Sequence, residues 1–285
     1  MKTYVEFRCG ACAKRYKVHE KHSGKKIACK ACGEPLEIPY PPLELPEEVT
    51  AGGSTVYRHE ARPMREMELA VGDDGNIELI DAHITKHIGP VESVWHELIS
   101  DMVHVDIHWV APSEERPWHT LVTSGMSDRP MHCPPGAEQF AYAELLVCLP
   151  PEWKLDEETL GDEKNYWPMR GLKSLARFPH EYETWLFEGH TIPNGDPADP
   201  LCDGLGFIGW MLYWPITIDT EFLTLEVSPD KTIHFLAIYP LFQGEMDLKL
   251  KKGAEGLLER FEKNGVSEII DIGRKDTSKK KGWFS

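Results

Sequence analysis

Short alternating segments open the chain. Tyr4-Val-Glu-Phe-Arg8, Arg15-Tyr-Lys-Val18, Lys26-Ile-Ala28 and Pro35-Leu-Glu-Ile38 place apolar side chains at every second position, the period of a strand covered on one face. Gly24 and Gly33 fall at the turns between them. From Pro39 to Pro63 the period disappears: Pro39-Tyr-Pro-Pro-Leu-Glu-Leu-Pro46, an acidic stretch and Gly52-Gly53-Ser54 predict a linker, stiff at its start and flexible later.

Beyond residue 63 the pattern lengthens. Ala82–His87 has the spacing of a short helix stopped by Gly89-Pro90, and Met102–Val110 and Thr120–Ser124 alternate as strands, the second ended by Gly125. Ala141–Leu149 is a continuous apolar run closed by Pro150-Pro151. Trp167–Phe178 carries Leu172, Leu175 and Ala176 at helical spacing, and Gly253–Phe261 does the same with Leu257, Leu258 and Phe261. Trp185–Phe187, Phe207–Trp214, Phe222–Val227 and Ile233–Ile238 read as further strands. Many strands, few helices and no βαβ rhythm predict an α+β fold, a mixed or antiparallel sheet with flanking helices, preceded by a small ribbon. The expected organisation is a ribbon over 1–39, a linker over 40–63, the main domain over 64–278 and a basic aromatic tail over 279–285.

The cysteines give the ribbon its chemistry. Cys9-Gly-Ala-Cys12 and Cys29-Lys-Ala-Cys32 stand sixteen residues apart, the arrangement in which two CxxC knuckles wrap four thiolates around one tetrahedral zinc ion. A segment of this length buries too little apolar surface to fold alone, so one structural Zn²⁺ is expected to supply most of its folding free energy. The remaining three, Cys133, Cys148 and Cys202, form no disulfide framework, which fits a cytoplasmic protein. No apolar run approaches a membrane span.

Charge separates the two parts. Residues 1–40 hold nine Lys/Arg against four Asp/Glu, leaving 22 against 43 for the rest. An acidic surface of this kind repels polyphosphate, so a protein partner is expected and nucleic acid is not.

Two other constellations carry candidate chemistry. On an alternating strand His104, Asp106 and His108 share one face, with Val103, Val105, Ile107 and Trp109 on the other, and His96-Glu97 lies close in sequence. That set suits a second metal site or an acid–base cluster, but spacing alone gives no geometry, and the favoured expectation is a polar face hydrogen-bonded to loops. His83 and His87 are four apart without the glutamate of an HExxH motif. Gly204-Leu-Gly-Phe-Ile-Gly209 spells GxGxxG but runs into a strand-like segment, whereas a dinucleotide fingerprint must open a helix. His132-Cys133 are neighbours in sequence only, and no nucleophile elbow or P-loop is present. Most of the nine tryptophans are expected in the core, but the run Gly206–Pro215 holds too many aromatics to bury on one strand face, so some are expected to line a groove for a partner peptide.

Several stretches in order resemble the suppressor of fused family, bacterial branch. They include Val94-Trp-His-Glu97, His104-Val-Asp-Ile-His108, Thr120–Ser127 with Pro130-Met131, and Ala143–Trp153. Trp167–Leu172, Glu188-Gly-His190, Phe207–Pro215, Ile238–Phe242 with Glu245-Met246, Gly253–Leu258 and Lys281–Phe284 continue the likeness over about residues 64–285. The resemblance implies an α+β fold and a non-enzymatic protein-binding role. Animal members restrain a transcription factor by gripping a peptide from it, and many bacterial relatives look like immunity proteins against secreted toxins. Two alternatives from other classes stand beside it: a metal-dependent enzyme using His96, His104, Asp106 and His108, and a nucleic-acid-associated regulator acting through the ribbon.

Overall fold

The computed structural model describes residues 4–39, 48–59, 70, 72–97 and 102–279, and divides into two compact units, residues 1–48 and 49–285. In the first, β1 (Tyr4–Arg8) pairs antiparallel with β2 (Arg15–His19), and β3 (Lys26–Ala28) with β4 (Pro35–Glu37). All four strands fall where alternation places them. Among the described residues of this unit the buried apolar ones are Val5, Cys9, Cys29 and Ile38, half of them cysteines.

The linker expectation meets a difference. Residues 40–47 lie outside the described set, but β5 (Glu48–Val49) and β6 (Thr55–Val56) form a hairpin whose tip is fastened to the large unit: Gly52 N–H donates to the Leu250 carbonyl at 2.9 Å. Further on, the His59 ring lies 5.3 Å from Phe178 and 5.2 Å from Tyr182. Among the described residues of this stretch, 48–59, the lack of period accompanies a short hairpin and a following segment held by local contacts.

The large unit is built on one eight-stranded mixed sheet. Its strands are β7 (Val91–Trp95), β8 (Asp106–Val110), β9 (His119–Ser124), β10 (Tyr142–Leu149), β11 (Thr191–Pro193), β12 (Phe207–Tyr213), β13 (Thr224–Ser228) and β14 (Lys231–Phe242). The order across the sheet is β11-β12-β14-β10-β9-β8-β7. Every neighbouring pair is antiparallel except β10 with β14, which run parallel from Tyr142↔Ile233 to Leu146↔Ala237. Since β10 occupies one edge of β14 there, β13, paired at Ile233 and His234, must share the opposite edge with β12.

Three helices cover the faces: α1 (Asp74–His87), α2 (Glu163–Glu181) and α3 (Gln243–Asn264), the last broken at Gly253. Alternate residues of β10 divide between two cores. Ala143, Leu145, Val147 and Leu149 pack with Leu172 and Leu175 of α2, whereas Leu146 and Cys148 pack with Ile80 and Ile84 of α1 and Leu257 and Phe261 of α3. A strand covered on both faces reads as an unbroken apolar run, as Ala141–Leu149 does.

Departures from expectation are local. α1 begins eight residues before Ala82, where the Asp73 carboxylate caps Gly75 and Asn76 N–H, and Asn76 and Glu78 dilute the apolar period there. α3 starts ten residues before Gly253 because the Glu245 side chain turns back onto the Phe242 N–H. Trp185–Phe187 joins no ladder among the described residues, its Phe187 N–H donating to His190 Nδ1 at 3.3 Å, and the strand falls at Thr191–Pro193 instead.

Three buried glutamates fasten loops to this frame. Glu144 accepts from Thr123 Oγ1 and Ser127 Oγ, both at 2.6 Å, and from Ser127 N–H at 2.9 Å. Glu268 accepts from Ile216 and Thr217 N–H and is tied to β10 through its carbonyl, which takes the Cys148 N–H. Glu245, fully buried, receives both ends of the Arg274 guanidinium at 2.6 and 2.8 Å, and Arg274 lies 5.0 Å from the Phe207 ring centre, 4.8 Å from that of Phe242 and 5.5 Å from that of Phe261. That pair pins the segment after residue 270 across β12, β14 and α3.

Two outcomes follow. Arg274→Ala leaves Glu245 charged, buried and without its cation, and denaturant unfolding of the large unit should show a loss of about 3–5 kcal/mol. Glu144 is the pH-sensitive member: burial raises its carboxyl to about 7, so the folded chain keeps a proton that the unfolded chain releases above about pH 4.3. Stability contributed by that proton is complete below pH 4.3 and falls as pH rises towards 7, by on the order of 3 kcal/mol. In Glu144→Gln, unfolding free energies measured from pH 4.5 to 7.5 should lack this part of the decline; an unchanged slope would refute the assignment.

Candidate functional site

The ribbon brings its four cysteines together. The antiparallel pairs end at Arg8↔Arg15 and Ala28↔Pro35, so each CxxC occupies the turn that joins two strands. The two turns repeat one geometry: Ala13 N–H donates to the Cys9 carbonyl and Gly33 N–H to the Cys29 carbonyl, both at 2.8 Å, with Ala13 at φ 56° and Gly33 at φ 79°. A left-handed residue suits Gly at the second knuckle; Ala13 adopts the same conformation with a Cβ. The Cys9–Cys32 and Cys12–Cys29 sulfurs are 3.6 Å apart, and all four lie within 4.8 Å of one another. Four ligands about 2.3 Å from a tetrahedral ion sit about 3.8 Å from each other, so this sulfur set is compatible with a zinc site.

Sequence reading missed one supporting residue. Tyr16 on β2 donates its hydroxyl to Cys29 Sγ at 3.0 Å and accepts the Lys30 N–H at 2.8 Å. The hydrogen bond from Tyr16, helped by the Ala31 and Cys32 amides, pulls the Cys29 thiol down to about 5. At neutral pH one thiolate is thus already favoured before any ion arrives. Nothing in the local pattern marks Tyr16 apart from an ordinary strand aromatic.

In the large unit the expected histidine face divides in two. The register Trp95↔Ile107 sets His96 beside Asp106 at the open end of β7 and β8, and His104 lies two residues before Asp106 on the same side. His96 Nδ1 is 2.8 Å from Asp106 Oδ2 and His104 Nε2 is 3.0 Å from Oδ1. Glu97 N–H also donates to Oδ1, at 3.1 Å. His104 is held in place by Gly125, where an added Cβ would stand 1.8 Å from the His104 carbonyl oxygen.

His108, by contrast, leaves this group. Its Nε2 is 3.0 Å from Ser124 Oγ and its Nδ1 is 3.4 Å from Asp81 Oδ1 on α1, partners that the sequence did not single out. Ser124, His108 and Asp81 follow the order of a nucleophilic triad, but the His108–Asp81 contact does not have hydrogen-bond geometry. Ser124 and His108 are wholly buried, however, so no substrate carbonyl can reach the hydroxyl, and desolvation lowers the His108 pKa and favours the neutral ring. The trio acts as a brace between α1, β8 and β9.

Other motifs take structural places. Gly204–Gly209 leads into β12, not into a helix. Cys148 is fully buried with its thiol shifted upward by desolvation, an inert environment. His83 Nε2 bonds to the Phe222 carbonyl at 3.0 Å, and His87 packs on His83 at 4.6 Å. Of the tryptophans, Trp167 and Trp210 are core, while Trp95, Trp109, Trp118, Trp153, Trp185 and Trp214 are half-buried; Trp283 lies outside the described residues, as does most of the expected tail. Two half-buried groups form around them. Trp95 stacks on Trp109 at 5.6 Å, and Trp185 and Trp214 flank Phe187, itself against Phe140 and His234. The Trp214 indole N–H is oriented by Glu188.

No helix among the described residues is long and apolar enough to cross a membrane. No curated protein matches the sequence. Among solved structures, a putative suppressor of fused homologue from Neisseria gonorrhoeae superposes with a TM-score of 0.53 at 18% identity, over 72% of this chain and 98% of that one. A chain in the crystal structure of the Sufu–Fu complex gives 0.51 at 14% identity, over 71% of this chain and 92% of that one. These likenesses establish the α+β fold. The sequence itself matches the family model described as suppressor of fused protein over residues 101–275, a span from before β8 to the Arg274 anchor, and the chain therefore belongs to the suppressor of fused family.

Proposed function

We propose that this protein is a non-enzymatic, protein-binding member of its family, whose large unit sequesters a protein partner and whose ribbon, holding one structural Zn²⁺ through Cys9, Cys12, Cys29 and Cys32, serves recruitment or assembly. The observation that carries the reading is the family match together with a related fold crystallised in a complex with Fu. Chemistry within the large unit agrees: Ser124 and His108 are buried away from any substrate, whereas aromatic residues of the kind that anchor interfaces stand half exposed. The unit's acidic excess favours a basic partner, met by electrostatic steering. A secreted toxin neutralised inside the producing cell is the partner class we favour, in which case this is a cytoplasmic immunity protein.

Two measurements test it. Affinity capture from the native host should retain a stoichiometric protein partner on the wild-type chain. The double change Trp185→Ala and Trp214→Ala should weaken its binding by about 10-fold or more, because hot-spot aromatics each contribute on the order of 2 kcal/mol, while far-UV circular dichroism stays unchanged. Capture of no partner under any growth condition would count against sequestration. For the ribbon, metal analysis should give one tightly held zinc that Cys9→Ser with Cys32→Ser removes. Hydrogen exchange in that variant should rise across residues 4–39 and stay constant across β8–β14; a fully protected ribbon without metal would refute a structural zinc.

A further inference from the structure

We propose that His96, His104 and Asp106 form a second metal site, binding a divalent first-row transition ion such as Zn²⁺ through two imidazoles and one carboxylate. The site shares no residue with the ribbon or with the Trp185 and Trp214 group.

The argument begins with the donors. Asp106 is 1% exposed, yet its carboxylate faces His96 Nδ1 across 2.8 Å and His104 Nε2 across 3.0 Å, one oxygen to each ring. All three donor groups offer ligand atoms within 4.8 Å of one another. An ion about 2.1 Å from each donor brings neighbouring ligand atoms to about 3 Å in an octahedral corner and to about 3.4 Å in a tetrahedral one, so the two histidine–carboxylate separations match the first and would open by about half an ångström for the second. Two histidines and a carboxylate on one side of an ion are a borderline set that selects Zn²⁺, Fe²⁺ or Co²⁺ over Ca²⁺ and Mg²⁺, which take oxygen.

The surroundings favour an ion over a bare hydrogen-bonded trio. Among the described residues, Lys173 and Arg177 pair with Glu97, the residue that follows His96. A divalent ion would balance the buried carboxylate of Asp106. Support from outside the donor set is also present: Glu97 N–H fixes the Asp106 oxygen, and Gly125 lets the backbone at His104 approach β9. Access comes from one direction. The His96 side chain is 63% exposed and that of His104 18%, so an ion here would be open towards solvent on the His96 side and keep coordination positions for water or for a ligand group of a bound protein.

The test uses the full chain with its ribbon intact. Zinc titration followed by calorimetry and metal analysis should give two ions per chain, one retained through dialysis and one weaker. Because the His96 side chain is largely exposed, His96→Ala should melt as the wild type does while the weaker ion's affinity falls by more than the ~10–100-fold that losing an outer-shell support costs. His104→Gln should do the same. Cobalt in the weaker site should show the faint ligand-field bands of nitrogen and oxygen donors without thiolate charge transfer, and Cys9→Ser with Cys32→Ser should leave those bands in place. A single ion at saturating zinc, or a second ion that persists in His96→Ala, overturns the proposal; loss of the ribbon's ion alone bears only on the ribbon.

Discussion

The parallel pairing of β10 with β14 is the contact on which the rest of the large unit depends. It joins residues 142–146 to residues 233–237, the only parallel ladder of the sheet among the described residues, and it carries apolar side chains to both faces. Closing so long a loop costs chain entropy before any contact is gained, and burial in two cores at once is what offsets it. Everything that covers a face uses this pair: α2 lies on Leu145 and Leu236, whereas α1 and α3 lie over Leu146 and Phe235. The C-terminal segment is locked to the same place, since Cys148 N–H donates to the Glu268 carbonyl and Ile270 N–H to that of Cys148.

A sheet buried on both sides has little room for polar groups, and the chain uses the few it has as fasteners. Glu144, Glu245 and Glu268 are each wholly buried and each saturated by hydrogen-bond donors from a loop or a following segment. Stabilisation by such groups is modest beside apolar burial, but an unsatisfied carboxylate is costly, so every alternative placement of those loops is penalised. The ribbon solves the opposite problem. With two of the four buried apolar residues among its described residues being cysteines, it has little surface to fold by burial, and its four clustered thiols are compatible with a zinc site that would hold the two hairpins together.

Legibility in the sequence followed the same physics. The ribbon strands and its cysteines were readable because alternation and CxxC spacing are local signals, as were β9, β10 and β12, bounded by Gly125, Pro150 and Trp214. β7 and β11 were not read, since Val91-Glu-Ser-Val-Trp95 and the three residues of β11 become strands through their neighbours. The early halves of α1 and α3 were missed where polar residues diluted the period and the determining feature was a cap. For the histidine face, parity was legible and partnership was not: residues 104, 106 and 108 do share a side, but only the β7–β8 register shows that His96 joins Asp106 while Asp81, from a helix, claims His108.

That division gives the two histidine groups opposite characters. His108 sits between Ser124 and Asp81 in a sealed space, where burial favours the neutral imidazole and makes it a brace. His96 and His104 sit at the frayed end of the same ladder, where β7 and β8 stop pairing and their side chains meet solvent over a carboxylate that cannot. One strand face thus passes within four residues from structural to accessible polar chemistry, because a ladder that ends exposes donors that its interior must consume. An accessible, preorganised donor set at the margin of a binding fold is placed to meet whatever the fold binds, whereas the same residues two positions further in would only hold the sheet together.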